Sequence, residues 1–286
     1  MKAPAFDYVK PKDLDEAFAY LKQYGSGGQI LAGGQSLMAI LNLGLAMPEV
    51  LIDITGIDGL KDVVVTDHQV RVGALVTHAK LQTNPDIARH VPLLAQCIPH
   101  VAHMAIRNAG TMGGSMALSD PAAEYPAVAL ALNAVITLQS AKGSRDVLAS
   151  DYFLGLYSTA RTDDELLVAV SFPKVKANQV MVFDELTRRR GDYALCGLAA
   201  AFDTTGSQIS AARLAYLSMG DTPVLATHAA AALVGQPLTE DTISAAQAAL
   251  VHDLSPLGDL HGSAEGKLQW AKVLLARSVR QIGARQ

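Results

Sequence analysis

The sequence has very few cysteines, and they lie far apart. Cys97 and Cys196 are the only ones among 286 residues, and no Cys-x-x-Cys motif occurs. A disulfide framework uses several paired cysteines, and an iron–sulfur cluster is usually held by four thiolates. The sequence therefore argues against both features within this chain.

Long apolar runs and blocks of basic residues are also missing. The most apolar segment, 127–138, is too short to cross a bilayer and contains Asn133, and the N-terminus lacks the continuous apolar stretch of a secretion signal. The chain has 23 basic and 27 acidic residues, a formal net charge of −4. We therefore expect a cytoplasmic protein that neither inserts into membranes nor binds nucleic acid.

The chain is instead rich in apolar residues for a soluble protein. Hydrophobic residues make up 50% and charged residues 17% of the sequence, and the mean hydropathy is +0.23. Such a composition indicates that partner proteins cover part of the surface. The length is sufficient for two or three compact units that share a large core.

Two glycine-rich loops carry the strongest functional signal. The first, 31–36, reads Leu-Ala-Gly-Gly-Gln-Ser, and the second, 107–126, holds Gly110, Gly113 and Gly114 among small polar residues. Glycine tolerates positive φ and has no Cβ, so successive backbone N–H groups can approach phosphate oxygens. Helix N-termini also attract anions. Together the loops predict a diphosphate bound from two sides, although neither is a P-loop or a Gly-x-Gly-x-x-Gly fingerprint.

The same two loops carry a family resemblance. Ala-Gly-Gly-x-Ser from residue 32, Arg-Asn-x-Gly-Thr-x-Gly-Gly-Ser from residue 107 and Ser-Asp-Pro-Ala-Ala-Glu from residue 119 resemble the FAD-binding motifs of the medium, flavin-carrying subunit of molybdenum hydroxylases. That family includes carbon monoxide dehydrogenase, the quinoline and nicotine dehydrogenases and the flavin domain of xanthine dehydrogenase. The resemblance covers essentially the whole chain.

The resemblance implies an α+β architecture of the vanillyl-alcohol-oxidase or PCMH type. FAD-binding lobe 1 is expected at 1–55 and FAD-binding lobe 2 at 56–176. A C-terminal α+β cap domain, a three-stranded sheet with helices, is expected at 177–286. The polar and charged segment 174–178 marks the boundary before the cap.

The resemblance also implies roles for individual residues. The backbone of 32–36 and 111–115 is expected to wrap the FAD diphosphate, with the hydroxyls of Ser36, Thr111 and Ser115 as further donors. The residues expected to bind FAD are Leu31, Ala32, Gly33, Gly34, Gln35, Ser36, Asn108, Gly110, Thr111, Gly113, Gly114, Ser115, Asp120, Glu124, Leu166 and Tyr193.

Several of these residues have a second interpretation. Asp120 is expected to accept hydrogen bonds from ribityl or sugar hydroxyls, but it could equally cap the helix after Pro121. Glu124 lies near the flavin in the family, or it is solvated surface. Leu166 is either a flavin contact or core. Tyr193 is expected to cover the isoalloxazine ring, whereas the arginines before it fit a solvated edge-strand turn.

The hydrophobic pattern predicts helices and strands whose positions can be compared with the expected α+β architecture. The clearest are a helix over 92–104, strands over 179–186, 194–203 and 208–217, and helices that begin at residues 224, 241 and 263. His100 and His103 are three residues apart on the first helix, a spacing compatible with two metal ligands. Since no third ligand is evident, we interpret them as structural histidines.

The functional expectation follows from the resemblance. No Gly-x-Ser-x-Gly elbow or other nucleophile set occurs, so hydrolase chemistry is unsupported. Substrate oxidation is expected at a molybdenum cofactor on a large partner subunit, with electrons crossing two iron–sulfur clusters on a small subunit to FAD on this chain and then to an external acceptor. A dimer of heterotrimers is the expected assembly.

The sequence says less about the substrate and about whether the chain works alone or within a complex. Gln35 departs from the histidine of the carbon monoxide dehydrogenase branch and favours an N-heteroaromatic substrate, with carbon monoxide or a purine as the other options. A free-standing FAD-dependent oxidoreductase is the alternative function. An assembly subunit that has lost FAD is disfavoured, since the glycines of both loops are intact.

Overall fold

The chain folds around three main β-sheets that follow one another along the sequence. The structure is a computed structural model that describes residues 2–206 and 208–283. In this part of the chain no helix is both long and apolar enough to cross a membrane. The mixture of parallel and antiparallel sheets with covering helices is the α+β architecture expected from the sequence.

The first sheet is parallel, with strand order β1-β3-β2. Helix α1 packs Ala17, Phe18 and Leu21 against it. Asp13 caps this helix by accepting from the Glu16 N–H, and Gly25 ends it at a φ of +51°. The elements are β1 (Asp7–Val9), α1 (Leu14–Tyr24), β2 (Gly28–Leu31), α2 (Leu37–Asn42) and β3 (Val50–Asp53).

The second sheet is antiparallel and has the order β4-β5-β10-β6-β7. Helices α3 to α8 lie between β5 and β6, and α8 is buried along its whole length. The elements are β4 (Val63–Val65), β5 (Gln69–Gly73), α3 (His78–Gln82), α4 (Pro85–His90), α5 (Pro92–Cys97), α6 (Met104–Ala109), α7 (Met112–Leu118), α8 (Glu124–Ala131), β6 (Val135–Ser140), β7 (Gly143–Leu148), α9 (Ala149–Tyr152), β8 (Phe153–Gly155), β9 (Ser158–Thr159) and β10 (Leu166–Pro173).

The helix predicted over 92–104 is wrong in its extent. Helix α5 ends at Cys97, a 3-10 turn covers Ile98–His100, and α6 starts at Met104. Pro99 lies inside the predicted helix, where it removes an N–H donor and its ring clashes with the preceding turn. His100 and His103 therefore lie on different elements, and the described residues contain no cluster of three or more metal-ligating side chains.

The third sheet has four strands in the order β11-β12-β13-β14, one more than expected. The predicted helix start at 224 is replaced by the short β14, which pairs with Ala215 and Tyr216 before the helix begins. The elements are β11 (Gln179–Leu186), β12 (Cys196–Thr205), β13 (Gln208–Leu217), β14 (Val224–Leu225), α10 (Thr227–Leu233), α11 (Glu240–Ala249) and α12 (Ala264–Gly283).

Both faces of this third sheet are covered. Along β12, Ala199 and Ala201 face the second sheet's helices, whereas Leu198, Ala200 and Phe202 face the helices α10 to α12. Side chains alternate between the faces of a strand, so a continuous apolar run is what a doubly covered strand requires. The C-terminal unit is thereby fixed against the second sheet rather than tethered loosely.

Candidate functional site

The two glycine loops meet and form one site. A Cβ added to Gly33 would lie 2.2 Å from the carbonyl oxygen of Ala109 and 2.8 Å from the Cα of Gly110. Real side chains do not tolerate such distances, so only glycine permits this backbone contact. Residues that are distant in the sequence are therefore in direct backbone contact, and we call the junction of the two loops the cleft.

The first loop offers free backbone donors. Gly34 adopts a φ of +69°, and the N–H groups of Gly34, Gln35 and Ser36 donate no hydrogen bond within the described part of the chain. The Gln35 side chain turns back and donates to the Gly33 carbonyl at 2.9 Å. Consecutive free amides ahead of a helix form an anion-binding concavity.

The second loop has a different arrangement of donors. The N–H groups of Met112, Gly113 and Ser115 donate to backbone carbonyls at 2.8–3.1 Å, while Thr111 caps α7 by accepting from the Gly114 N–H at 3.1 Å. The Gly114 N–H is bonded to a side-chain oxygen, so a change of the Thr111 side-chain rotamer releases it without breaking a backbone pair, and the Thr111 N–H donates no hydrogen bond in the described part of the chain. The loop thus presents hydroxyl groups and the bare Cα of Gly114.

A buried histidine that the sequence did not single out supports the second loop. The His78 N–H donates to the Gly110 carbonyl at 3.0 Å, and its Nδ1 lies 2.9 Å from the Tyr125 hydroxyl. Burial, followed by the nearby charge of Arg107, lowers the pKa of His78 to about 4. His78 is therefore a neutral structural group at physiological pH, and a lone histidine in the sequence gives no signal of this role.

A cavity of about 660 Å³ lies beside the third sheet, between the segments that connect its strands, the segment 120–122 and the turn between β8 and β9. We call it the ring cavity. It brings together Asp120 and Tyr193, two predicted site residues, and adds Tyr157, Arg188 and Lys267. Desolvation and then the Asp120 carboxylate raise the pKa values of both Tyr157 and Tyr193, so these hydroxyls stay protonated. This volume lies within the range of small-molecule sites, and the walls supply aromatic and polar side chains.

Asp120 is not the N-cap of α8. Its Oδ1 accepts from the Ala122 N–H at 2.9 Å, whereas Ala123 occupies the N-cap position and α8 begins at Glu124. Asp120 thus stabilises the turn ahead of the helix, and its carboxylate also interacts with the Tyr157 hydroxyl in the cavity wall. This arrangement leaves the expected contact with FAD hydroxyls as a prediction.

Glu124 is buried, so the solvated-surface interpretation is wrong. Desolvation, followed by the charge of Glu185 and then of Asp120, raises the pKa of Glu124 to about 8.

Leu166 is buried in the core cluster shared by the first two sheets, and its contact with flavin remains a prediction. Asn108 is exposed at the end of α6, and Arg189 and Arg190 are exposed as the edge-turn interpretation expects.

The neighbouring Gly113 has a packing role that a substitution tests. An added Cβ would lie 2.5 Å from the Cβ and 2.8 Å from the Cα of Ala74. We expect Gly113→Ala to lower the free energy of unfolding by about 1–3 kcal/mol, the usual cost of overpacking. Urea unfolding of the flavin-free chain measures this, with Gly59→Ala as the control, because nothing lies within 4 Å of a Cβ at Gly59. Equal midpoints for both variants would contradict the packing.

Comparison with known proteins agrees with this geometry. Residues 4–175 match the FAD binding domain in molybdopterin dehydrogenase, and residues 181–282 match the CO dehydrogenase flavoprotein C-terminal domain. The chain is 37% identical to the nicotine 6-hydroxylase medium subunit of Paenarthrobacter nicotinovorans, with 100% of both chains covered.

Solved structures give the same result. Quinoline 2-oxidoreductase from Pseudomonas putida 86 contains a chain that is 36% identical, with a TM-score of 0.94 and 99% of each chain covered. Carbon monoxide dehydrogenase from Hydrogenophaga pseudoflava contains one that is 34% identical, with a TM-score of 0.96 over 100% of this chain and 99% of that one. The resemblance inferred from the glycine loops is confirmed, and the chain belongs to the family of FAD-binding medium subunits of molybdenum hydroxylases.

Proposed function

We propose that this chain binds one FAD across its two glycine loops and passes electrons from a partner's iron–sulfur clusters through that flavin to an external acceptor. The contact of Gly33 with Ala109 and Gly110 carries the proposal, because it joins the loops into a single cleft. The substrate is oxidised elsewhere, at a molybdenum cofactor on a large partner subunit.

The residues of the cleft fit the diphosphate of FAD. The free amides of Gly34, Gln35 and Ser36 supply donors from one side, and the hydroxyls of Thr111 and Ser115 supply donors from the other. Arg107, the basic residue at the start of the second loop, donates instead to the carbonyls of Val101 and Ala102. The cleft therefore suits an anion held by dipoles rather than by an ion pair.

The ring cavity fits the rest of the cofactor. Asp120 is placed to accept hydrogen bonds from ribityl or sugar hydroxyls. Tyr193 lines the same cavity and is 69% exposed, so its ring can cover the isoalloxazine while its hydroxyl contacts water. Bound FAD supplies the redox chemistry, and these side chains orient it and limit access to it.

The partners follow from the same proposal. Cys97 and Cys196, the two cysteines of the chain, are buried and unpaired, which supports placing the two iron–sulfur clusters on a small partner subunit. Exposed apolar side chains include Leu45, Met47 and Met104, and they fit a chain whose surface is covered in an assembly. We propose a dimer of heterotrimers in the cytoplasm.

We also propose which part of the binding site each domain contributes. Lobe 1 at 1–55 and lobe 2 at 56–176 would each contribute one glycine loop, and the cap at 177–286 would contribute Tyr193. The two family matches, which end at 175 and begin at 181, and the sequential order of the three sheets support these boundaries.

The substrate class is proposed to be an N-heteroaromatic compound. Gln35 in the first loop and the names of two relatives, a nicotine hydroxylase and a quinoline oxidoreductase, support this choice over carbon monoxide or a purine. The test adds nicotine, quinoline, xanthine or carbon monoxide to the anaerobic complex that copurifies with this chain. We expect bleaching of the flavin absorbance with an N-heteroaromatic compound, and bleaching with carbon monoxide or xanthine alone would contradict the assignment.

A further inference from the structure

The two side chains of the ring cavity that are predicted to bind FAD are carried by different parts of the fold. Asp120 lies just ahead of α8, in the unit of the second sheet, and Tyr193 lies in the turn between β11 and β12 of the third sheet. A flavin that contacts both side chains requires a fixed spacing between the two segments. The structure contains a residue, Ser218, that bonds to both segments.

Ser218 bonds to the residue that follows each of these two side chains. Its backbone N–H donates to the carbonyl of Pro121 at 2.9 Å, and its hydroxyl donates to the carbonyl of Ala194 at 2.7 Å. Pro121, Ala194 and Ser218 all line the ring cavity. The two bonds therefore hold the backbone directly after Asp120 and directly after Tyr193.

The backbone conformation of Ser218 explains how one residue makes both bonds. The paired register of β12 and β13 ends at Gly197 and Leu217, and Ser218, the next residue of β13's chain, adopts a φ of +61°. A left-handed residue departs from the extended geometry of a strand. Its N–H therefore leaves the sheet and reaches Pro121, while its hydroxyl replaces the backbone as the donor to the neighbouring segment.

Left-handed backbone at residues other than glycine is concentrated around this cavity. Five such residues occur in the described part of the chain. Ser218 and Tyr157 line the ring cavity, and Ser119 directly precedes Asp120 of its wall. Strain of this kind persists where the surrounding structure enforces it, often at ligand clamps. This distribution supports a role of Ser218 in the site rather than in the sheet alone.

We propose that Ser218 is a positioning residue, which holds Tyr193 over the flavin ring at a fixed spacing from Asp120. This inference rests on the proposed flavin function. Ser218 acts through the backbone of Pro121 and Ala194 and needs no contact with the reacting atoms. Without its hydroxyl, the site should still bind FAD through the two glycine loops, but the turn that carries Tyr193 should cover the ring less firmly.

The first test measures the flavin fluorescence of the FAD-loaded chain. A tyrosine ring in contact with an isoalloxazine quenches its emission by electron transfer, so we expect Ser218→Ala to keep its FAD and to fluoresce more brightly than wild type. In a Tyr193→Ala background, Ser218→Ala should add no further increase, because its effect passes through Tyr193. Ser210→Ala is the matched control, since this hydroxyl donates to the Asp203 carbonyl at 3.1 Å on the same pair of strands, and it should match wild type.

Two results of this test would overturn the inference. One is an unchanged fluorescence yield in Ser218→Ala. The other is an equal increase in the presence and absence of the Tyr193 ring, which would indicate a general loosening of the site.

A second readout does not depend on the flavin. The Leu195 N–H belongs to the same peptide group as the Ala194 carbonyl and donates to the Leu186 carbonyl at 2.8 Å. In the FAD-free chain we expect Ser218→Ala to speed hydrogen exchange of this amide about 2- to 10-fold, the factor that matches the loss of one hydrogen bond. Ser210→Ala should leave the rate unchanged.

A glycine variant keeps this test decisive if the alanine variant folds poorly. Ser218→Gly also lacks the hydroxyl, but glycine accepts the φ of +61° without strain, so the same acceleration is expected in a stably folded protein. Unchanged exchange in both variants would overturn the inference. A wild-type chain that binds no FAD would instead contradict the proposed function, and the exchange rates would still report whether Ser218 fixes the turn.

Discussion

The Gly114→Val variant is expected to fold normally and to purify without FAD. A Cβ at this position would have a single protein atom within 3.4 Å, the Thr111 hydroxyl oxygen at 3.0 Å, and would otherwise point into the cleft toward the Cβ of Ala32 at 4.0 Å. The valine methyl groups would occupy space that the diphosphate needs. We expect FAD affinity to fall at least about 100-fold, which corresponds to about 2.8 kcal/mol.

The measurement is the ratio of flavin to protein absorbance after gel filtration, together with urea unfolding of the FAD-free chains. Gly59→Val is the matched control, since a Cβ at Gly59 meets open space, and this variant should keep its FAD. Gly114→Val with a full complement of flavin would contradict the position of the diphosphate. An unfolding midpoint close to wild type would exclude a simple loss of folding.

The second large effect concerns the pH dependence of stability at Glu124. Its pKa is about 8 in the folded chain against 4.5 as its ordinary value, so the folded state holds this proton more tightly than the unfolded state. The resulting stability is fully present below pH 4.5 and is lost as the pH rises through 8. At 1.36 kcal/mol for each pH unit, the upper limit of the loss is about 5 kcal/mol.

Glutamine does not titrate, so Glu124→Gln should lack this loss. Urea unfolding of the FAD-free chain from pH 5 to pH 9.5 should show wild type losing stability relative to the variant. The two proteins should be similar at pH 5, and the variant should be several kcal/mol more stable at pH 9.5. Glu49→Gln, an exposed carboxylate with no hydrogen bond from its side chain in the described residues, should follow wild type. Parallel profiles for wild type and Glu124→Gln would contradict the burial of an ionisable Glu124.

Local sequence rules accounted well for elements with strong patterns. Strand β11 lies at 179–186 as predicted, and α1 begins after Asp13 and ends at Gly25, residue types that favour these two positions. In these segments the period of apolar residues or a capping side chain specifies the structure locally. The glycine loops belong to the same class, because glycines close together among small residues have few structural roles.

The sequence could not predict features that depend on contacts between distant residues. β14 forms because Val224 and Leu225 pair with β13, and two residues carry no periodic signal. The burial of Glu124 depends on the packing of α8 between the second and third sheets, which no local pattern of a charged residue can reveal. The contact between Gly33 and Ala109 likewise exists only once both lobes have folded.

The break at Pro99 belongs to a different class. A proline inside an apolar run is a recognised signal for a helix end, and the apolar residues on both sides of it outweighed that signal in the prediction. The break places His100 beside Glu185 and packs Gly191 against His103. Giving Pro99 its usual weight as a helix end would have placed His100 and His103 on different elements.

The most direct test of the central claim is the absorbance spectrum and cofactor content of the complex that copurifies with this chain from its native source. We predict one FAD per chain, iron–sulfur absorbance, molybdenum, and a large and a small partner subunit. The same complex carrying Gly114→Val should keep the iron, molybdenum and partners and lose only the flavin bands. A chain that purifies alone and colourless, or a flavin that stays with the Gly114→Val complex, would contradict the account.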